Sequence, residues 1–89
     1  MLATAAMFVL VNRDMTLDPD VISRRHLRRL VCVTTTTGQE WKGRLLLSTP
    51  FGLGLELLTA SGRMTSGHTV PFGDVDAVRR IRRADLPHD

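Results

Sequence analysis

The chain has 89 residues, which is enough for one small domain and too few for two. Hydrophobic residues make up 43% of it and aromatic residues 4%, so wholesale disorder is excluded and any core consists mostly of Leu and Val. One cysteine excludes an internal disulfide and a four-cysteine zinc site, and the net charge of +3 comes from 12 basic and 9 acidic residues.

Residues 1–16 are assigned to an N-terminal arm. Their apolar stretch has no basic segment before it and is far shorter than the roughly 20 residues that span a bilayer. The alternatives are a short strand over 7–11, an arm that grips a neighbouring subunit, disorder, or sequence upstream of a later start at Met15. The lone Cys32 favours a reducing compartment, and we expect a soluble, cytoplasmic protein.

Residues 18–30 are predicted to form a helix. Asp18 suits the capping position, and Pro19 suits the first helical position. The arginines of this segment lie toward its C-terminal end, where the helix dipole favours cations. Apolar or weakly polar side chains share one side of the helix, namely Ile22, His26, Leu27 and Leu30.

Five strands are predicted to follow the helix, over residues 31–37, 40–48, 53–59, 63–71 and 75–82. The first of them is rich in β-branched residues, and the next two alternate between apolar and polar residues with the period of a strand that buries one face. Residues 84–89 are expected to be a frayed tail. The inward-facing positions of the alternating strands are Trp41, Gly43, Leu45, Leu47, Leu53, Leu55 and Leu57.

One helix and five short strands predict a mainly β domain over residues 17–83. A leucine-rich inner face of this length closes best by curling into a small barrel, which also reduces exposed edges. Gly43 lies in mid-strand, where a strong bend without a Cβ is useful. We therefore expect a five-stranded, strongly bent antiparallel barrel with an N-terminal helix. Because a core of this size is near the lower limit for independent stability, we also expect oligomers.

The segment from about Pro19 to Ile81 resembles a Sm-like (LSm/Hfq-type) domain, a family of small SH3-like barrels. The first family motif combines apolar positions, a glycine turn, an aromatic residue, a glycine and an aliphatic residue, and is matched by Val31, Val33, Gly38, Trp41, Gly43 and Leu45. The second motif is similar to Val70-Pro71-Phe72-Gly73-Asp74-Val75, followed by Val78 and Ile81. The resemblance implies a divergent bacterial or phage member, and rings in which the fourth strand pairs with the fifth strand of the next subunit.

The nucleotide pocket of that family is not carried over. The Asp and Asn that help to hold uracil map near Thr49-Pro50 and Leu53-Gly54, and the Arg-Gly step of the second motif falls on Pro71-Phe72. The Lys-His pair of the bacterial branch is absent as well. The residues therefore support the family's fold better than its base recognition.

Clustered arginines carry the functional prediction. Eight of the 12 cations lie in two runs, which are Arg24, Arg25, Arg28 and Arg29, and Arg79, Arg80, Arg82 and Arg83. The planar, permanently charged guanidinium suits phosphate, so we predict binding of RNA or another nucleic acid through arginine–phosphate contacts. The Sm-like resemblance implies in addition that the protein forms a ring. The alternative is a scaffolding homo-oligomer in which the arginines make subunit contacts. The predicted nucleic-acid-binding residues are Arg24, Arg25, Arg28, Arg29, Lys42, Arg44 and Arg63. The alternative for Lys42 and Arg44 is ion pairing with Glu40 and Glu56.

Other side chains are weaker candidates. Phe51 and Phe72 occupy turns that would line the central opening of a ring in the resembled fold, whereas the parity of Trp41 favours the core over base stacking. Serines and Cys32 have no adjacent base to activate them, and the three histidines are too scattered for a metal site. We expect no enzymatic activity, metal, cofactor, small-molecule substrate or membrane association.

Overall fold

The computed structural model describes residues 17–89, so the alternatives for residues 1–16 lie outside the described residues. Within them, one α-helix precedes a single sheet of five antiparallel strands, which confirms the predicted mainly β composition. No helix in this range has both the length and the apolar run that a bilayer crossing needs. The elements are α1 Pro19–His26, β1 Leu30–Thr35, β2 Glu40–Ser48, β3 Gly52–Leu58, β4 Met64–Pro71 and β5 Val75–Arg80, with short 3-10 turns at Phe72–Asp74 and Arg83–Asp85.

The strands are arranged in the order β4-β3-β2-β1-β5. Hairpins join β1 to β2, β2 to β3 and β3 to β4, and β5 returns to pair with β1 on its free side. This order leaves β4 and β5 at the two edges, and no ladder joins them within residues 17–89. The sheet is therefore open in this structure, and the predicted barrel is not closed by backbone pairing.

Helix α1 begins at the predicted cap but ends at His26, earlier than expected. The Asp18 carboxylate accepts a hydrogen bond from the backbone N–H of Asp20 at 2.7 Å. Beyond the helix, Arg28 adopts a φ of +63°, and its N–H donates to the carbonyl oxygen of Leu45 at 2.7 Å. The chain therefore pairs with β2 before it could complete another helical turn.

A β-bulge in β2 reverses the parity of its last residues. Leu45 pairs with Leu55, whereas Leu47 pairs with Gly54, so Leu46 is an extra residue in this strand. Leu45 is fully buried, while Leu46 and Leu47 are 51% and 57% exposed. The structure thus differs from the expected inward position of Leu47, because one inserted residue resets the alternation.

The sheet buries apolar side chains on both faces. Consecutive residues of β1 alternate between two clusters, since Val31 and Val33 belong to one and Cys32 to the other. The inner face carries the larger cluster, to which α1 contributes one residue. This cluster consists of Ile22, Val31, Val33, Leu45, Leu53, Leu55, Val70 and Val75. The outer face carries the smaller cluster, which consists of Cys32, Leu58, Ile81 and Leu86.

The C-terminal segment, residues 84–89, packs on the outer face. It was expected to be a frayed tail, and that expectation is wrong. Leu86 is only 3% exposed and packs in the outer cluster. The backbone N–H of Ala60 donates to the carbonyl oxygen of Pro87 at 2.8 Å, which ties the segment to the end of β3. Burial of one large apolar side chain and a backbone hydrogen bond both help to order this short segment.

Replacing Leu86 by Ala is expected to lower the free energy of unfolding by about 2–3 kcal/mol, because it leaves a cavity in the outer cluster. For a domain of this size the midpoint of thermal unfolding should fall by about 10 °C or more. The exposed neighbour His88, replaced by Ala, is the control and should leave the midpoint nearly unchanged. Equal midpoints for the two variants would show that the segment is not part of the folded domain.

Candidate nucleic-acid interface

The first arginine run lies at the end of α1 and in the turn that follows it. Arg24 and Arg25 belong to the last helical turn, and Arg28 and Arg29 precede β1. All four residues are exposed, and we refer to them as the helix-end arginines. The backbone of the turn is fixed to the sheet, since the carbonyl oxygen of Arg29 accepts a hydrogen bond from the N–H of Leu45 at 3.0 Å.

β5 brings one member of the second run to the same place. Arg80 pairs with Val31 in the sheet, and its guanidinium donates a hydrogen bond to the carbonyl oxygen of Arg25. That carbonyl lies in the last turn of α1, where the helix dipole is negative. The preceding Arg79 forms an ion pair with Glu40, with Nη2 and Oε2 3.7 Å apart. The second run is thus divided between the helix end and the outer face.

The helix-end arginines have no carboxylate partner among residues 17–89. The ion pairs within this range involve four other arginines, which are Arg44, Arg63, Arg79 and Arg82. Exposed guanidinium groups that are not engaged with carboxylates can each form charge-assisted hydrogen bonds with a phosphate. Several like charges on one short segment also create a positive potential, which attracts anions.

His26 lies among these cations, and its surroundings favour the neutral form of the imidazole. Its Nδ1 is buried and has no hydrogen-bond partner among the described residues. Burial, followed by the positive charges of Arg80 and Arg25, lowers the pKa of His26 below its ordinary value. The positive charge of this surface therefore comes chiefly from arginine.

Lys42 and Arg44 lie on the outer face of β2, as their spacing predicted. Arg44 forms an ion pair with Glu56, with Nη1 and Oε1 3.5 Å apart, so phosphate would have to compete with a carboxylate there. Lys42 is half-buried opposite Cys32. Lys42 and Arg44 therefore differ from the helix-end arginines, because one is half-buried and the other is paired with a carboxylate.

Arg63 lies in the turn between β3 and β4, beside the C-terminal segment. Its Nε is 3.6 Å from Oδ2 of Asp89. The same carboxylate accepts hydrogen bonds from the hydroxyl of Thr59 and from both the hydroxyl and the backbone N–H of Ser61. The hydrogen bond from the Ser61 hydroxyl is the largest of the effects that lower the pKa of Asp89. We call Thr59, Ser61 and Arg63 the Asp89 cradle.

A cavity of about 540 Å³ opens beside the Asp89 cradle. This volume is within the range of sites for small molecules. It brings two predicted binding residues, Lys42 and Arg63, together with an aromatic side chain. Its walls come from β2, β3, the β3–β4 turn and the C-terminal segment, and include Trp41, Lys42, Leu57, Arg63, Pro87 and His88.

Trp41 belongs to both the core and this cavity. It is half-buried and packs against the inner cluster. Its ring is stacked on His68 of β4, with ring centroids 3.8 Å apart and an interplanar angle of 26°. The remaining surface of Trp41 lines the cavity, so the expected core role describes only part of its environment.

Phe51 and Phe72 lie in neighbouring turns but have different environments. The backbone N–H of Phe72 donates to the carbonyl oxygen of Phe51 at 3.0 Å. Phe51 is 90% exposed, whereas Phe72 packs against the inner cluster. Of the two, Phe51 has the free aromatic surface that stacking on a base requires.

The side chains with metal-binding chemistry are dispersed over the part of the chain that the structure describes. Among residues 17–89, no three His, Cys, Asp or Glu side chains are placed to hold one metal ion. Burial, aided by the negative charge of Glu40, raises the pKa of the Cys32 thiol, which keeps it protonated and weakly nucleophilic.

The sequence reasoning did not anticipate Thr59, Ser61 and Asp89 as a site. Their only local signal is Leu86, the one large apolar residue of residues 84–89, which can anchor that segment to a core. The partnership itself joins residues that are distant in the chain. Only the packing of the C-terminal segment on the outer face brings them together.

No family model matches the chain, and comparisons with curated proteins and with solved structures found no match either. Function is therefore inferred from the residues and their geometry.

Proposed function

We propose that this chain is a Sm-like, ring-forming protein that binds RNA or another nucleic acid through arginine–phosphate contacts. The observation that carries the proposal is the exposed set of helix-end arginines, which have no carboxylate partner within residues 17–89. The phosphodiester backbone is a regular series of anions, and arginine binds it without reading the bases. The departures from the family's uracil motif agree with this backbone-directed mode.

Two free edges of one antiparallel sheet support the ring. β4 and β5 lie at opposite edges, and β4 is exposed along most of its length. Pairing of β4 with β5 of the next chain would satisfy both edges and is head-to-tail, so repetition by rotation closes a ring. The family that the sequence resembles assembles in this way.

The contact between Trp41 and His68 supports the strong bend of a Sm-like barrel. The two residues lie on β2 and β4, and β3 separates these strands in the sheet. In a flat sheet, alternate strands are about 10 Å apart, so a centroid distance of 3.8 Å favours a sheet that curls around its inner face.

A second candidate is a scaffolding homo-oligomer that binds no nucleic acid. Intramolecular ion pairs favour it at two of the predicted binding residues, since Arg44 is paired with Glu56 and Arg63 with Asp89. On this hypothesis the helix-end arginines make subunit contacts.

Replacing all four helix-end arginines by Gln is expected to abolish tight binding of a fluorescently labelled single-stranded RNA. Fluorescence anisotropy at several salt concentrations should show that the slope of log K against log salt falls by about 3 in magnitude, because four phosphate contacts are lost. The control replaces Arg79, Arg82 and Arg83 by Gln and should retain most of the slope, since two of these arginines are already paired with carboxylates.

The oligomer mass of each variant, measured by light scattering, separates the two candidates. Loss of RNA binding with an unchanged mass supports the proposal. Dissociation of the oligomer in the helix-end variant favours the scaffold, and failure of the unmodified protein to bind RNA at low salt overturns nucleic-acid binding altogether.

A further inference from the structure

The carboxylate of Asp89 is held at the β3–β4 turn in the way that a binding site holds an anion. Its Oδ2 accepts a hydrogen bond from the Thr59 hydroxyl at 3.0 Å and another from the Ser61 hydroxyl. Its Oδ1 accepts one from the backbone N–H of Ser61 at 3.2 Å. The Arg63 guanidinium adds a positive charge, with Nε 3.6 Å from Oδ2. Both carboxylate oxygens are therefore bound by donors from one short turn.

The turn is built by contacts that do not involve Asp89. The backbone N–H of Thr59 donates to the carbonyl oxygen of Arg63 at 2.9 Å, and the N–H of Arg63 donates to the Thr59 hydroxyl at 3.2 Å. Gly62 has a φ of +90°, a conformation that closes the turn and that glycine adopts without strain. The residue Thr59 is 5% exposed, so its hydroxyl has little freedom to point elsewhere. The backbone of the Asp89 cradle and its Thr59 hydroxyl are thus held in place without Asp89.

The space beside the Asp89 cradle is larger than a carboxylate needs. Thr59 and Arg63 also line the cavity of about 540 Å³, and Lys42 and His88 lie on its wall. Trp41 and Leu57 supply an apolar surface within the same cavity. An anionic head in the Asp89 cradle and a planar, partly apolar body in the cavity are the complementary chemistry.

We propose that the Asp89 cradle is a binding site for the phosphate group of a nucleotide, and that Asp89 occupies it as an internal competitor. The choice of a nucleotide over free phosphate rests on the proposed function. Hydroxyl, backbone N–H and guanidinium donors serve a phosphate as well as they serve a carboxylate, and a phosphate offers more acceptor oxygens and more charge. The Arg63–Asp89 pair is 67% and 40% exposed, so solvent weakens it and a stronger anion can displace it.

The test follows the backbone amide of Ser61 by two-dimensional NMR while inorganic phosphate or uridine 5′-monophosphate is added to the full-length protein. Asp89→Asn removes the competing charge and is expected to tighten binding of either probe by about two- to fivefold, the range set by an exposed ion pair. Asp85→Asn makes the same change of charge in the same segment, outside the Asp89 cradle, and should bind as the unmodified protein does. Arg63→Gln should weaken binding in the presence of Asp89.

If the nucleotide binds more tightly than inorganic phosphate, the nucleoside part occupies the cavity. If the two probes bind equally, the ligand of the Asp89 cradle is free phosphate. No shift of the Ser61 amide with either probe, or equal affinities for the Asp89→Asn and Asp85→Asn proteins, overturns the site. Should Asp89→Asn disturb the fold, the Arg63→Gln protein tests the site instead. A Ser61 amide that responds to the probes as it does in the unmodified protein would then overturn it. Failure here leaves RNA binding by the helix-end arginines intact, whereas loss of that function leaves the Ser61 response unchanged.

Discussion

Replacing Leu45 by Ala is expected to lower the free energy of unfolding by about 4 kcal/mol, while the same change at Leu47 costs about 0.5 kcal/mol or less. Leu45 is fully buried in the inner cluster, and its truncation leaves a cavity between the helix and the sheet. Leu47 is 57% exposed, so its truncation removes little buried area. The two leucines lie two positions apart on one strand, so regular alternation would put both on the same face. The β-bulge at Leu46 is the reason that their burial differs.

Urea unfolding monitored by the fluorescence of Trp41, the one tryptophan, measures both values. The protein concentration must be the same throughout, because an oligomer gains stability by mass action. Similar losses of unfolding free energy for the two variants would mean that Leu47 is also buried in the core, which would contradict the β-bulge. If the Leu45→Ala protein does not fold, Leu45→Val tests the same contact at a cost of about 1 kcal/mol.

The β-bulge also explains how far the strand pattern could be read from the sequence. The expected limits of β2 agree with the structure, because alternation over Glu40 to Leu45 has the period of a strand. The run Leu45-Leu46-Leu47 carries no such alternation, and three identical residues do not reveal which one is inserted. The pairing of Leu47 with Gly54 decides the register, and that pairing is a tertiary contact.

The end of α1 is a second case in which a distant contact overrides a local pattern. Apolar residues continue at helical spacing up to Leu30, so the sequence favours a longer helix. The structure instead directs the backbone N–H of Arg28 to Leu45 of β2, which lies far along the chain. Local preferences for helix are small per residue, and sheet pairing outweighs them here.

The candidate sites divide in the same way. Clusters of arginine are visible in the sequence, and the structure shows that the helix-end arginines are exposed. The pairing of Arg63 with Asp89 was not predictable, because packing of Leu86 on the outer face is what brings residues 84–89 back to the β3–β4 turn. Charge is a property of composition, whereas its availability depends on packing.

Replacing Gly43 by Ala is expected to lower the free energy of unfolding by about 2 kcal/mol, although alanine usually has the advantage over glycine within a strand. A Cβ at this position would lie 2.2 Å from the carbonyl oxygen of Glu56 and 2.9 Å from its carbonyl carbon. Glu56 belongs to β3, which is hydrogen-bonded to β2 and β4, so its backbone cannot turn aside as a side chain can. The added methyl group must therefore push the two strands apart.

The two opposing effects differ enough in size to decide the sign of the result. Reduced freedom of the unfolded chain contributes about 0.4–1 kcal/mol in favour of alanine, whereas overpacking against a fixed backbone at this separation costs about 3 kcal/mol. Gly73→Ala is the matched control, because a Cβ there meets nothing within 4 Å, and its stability should change by about 0.5 kcal/mol or less. Equal urea midpoints for the two variants would mean that β2 and β3 do not approach each other this closely at Gly43.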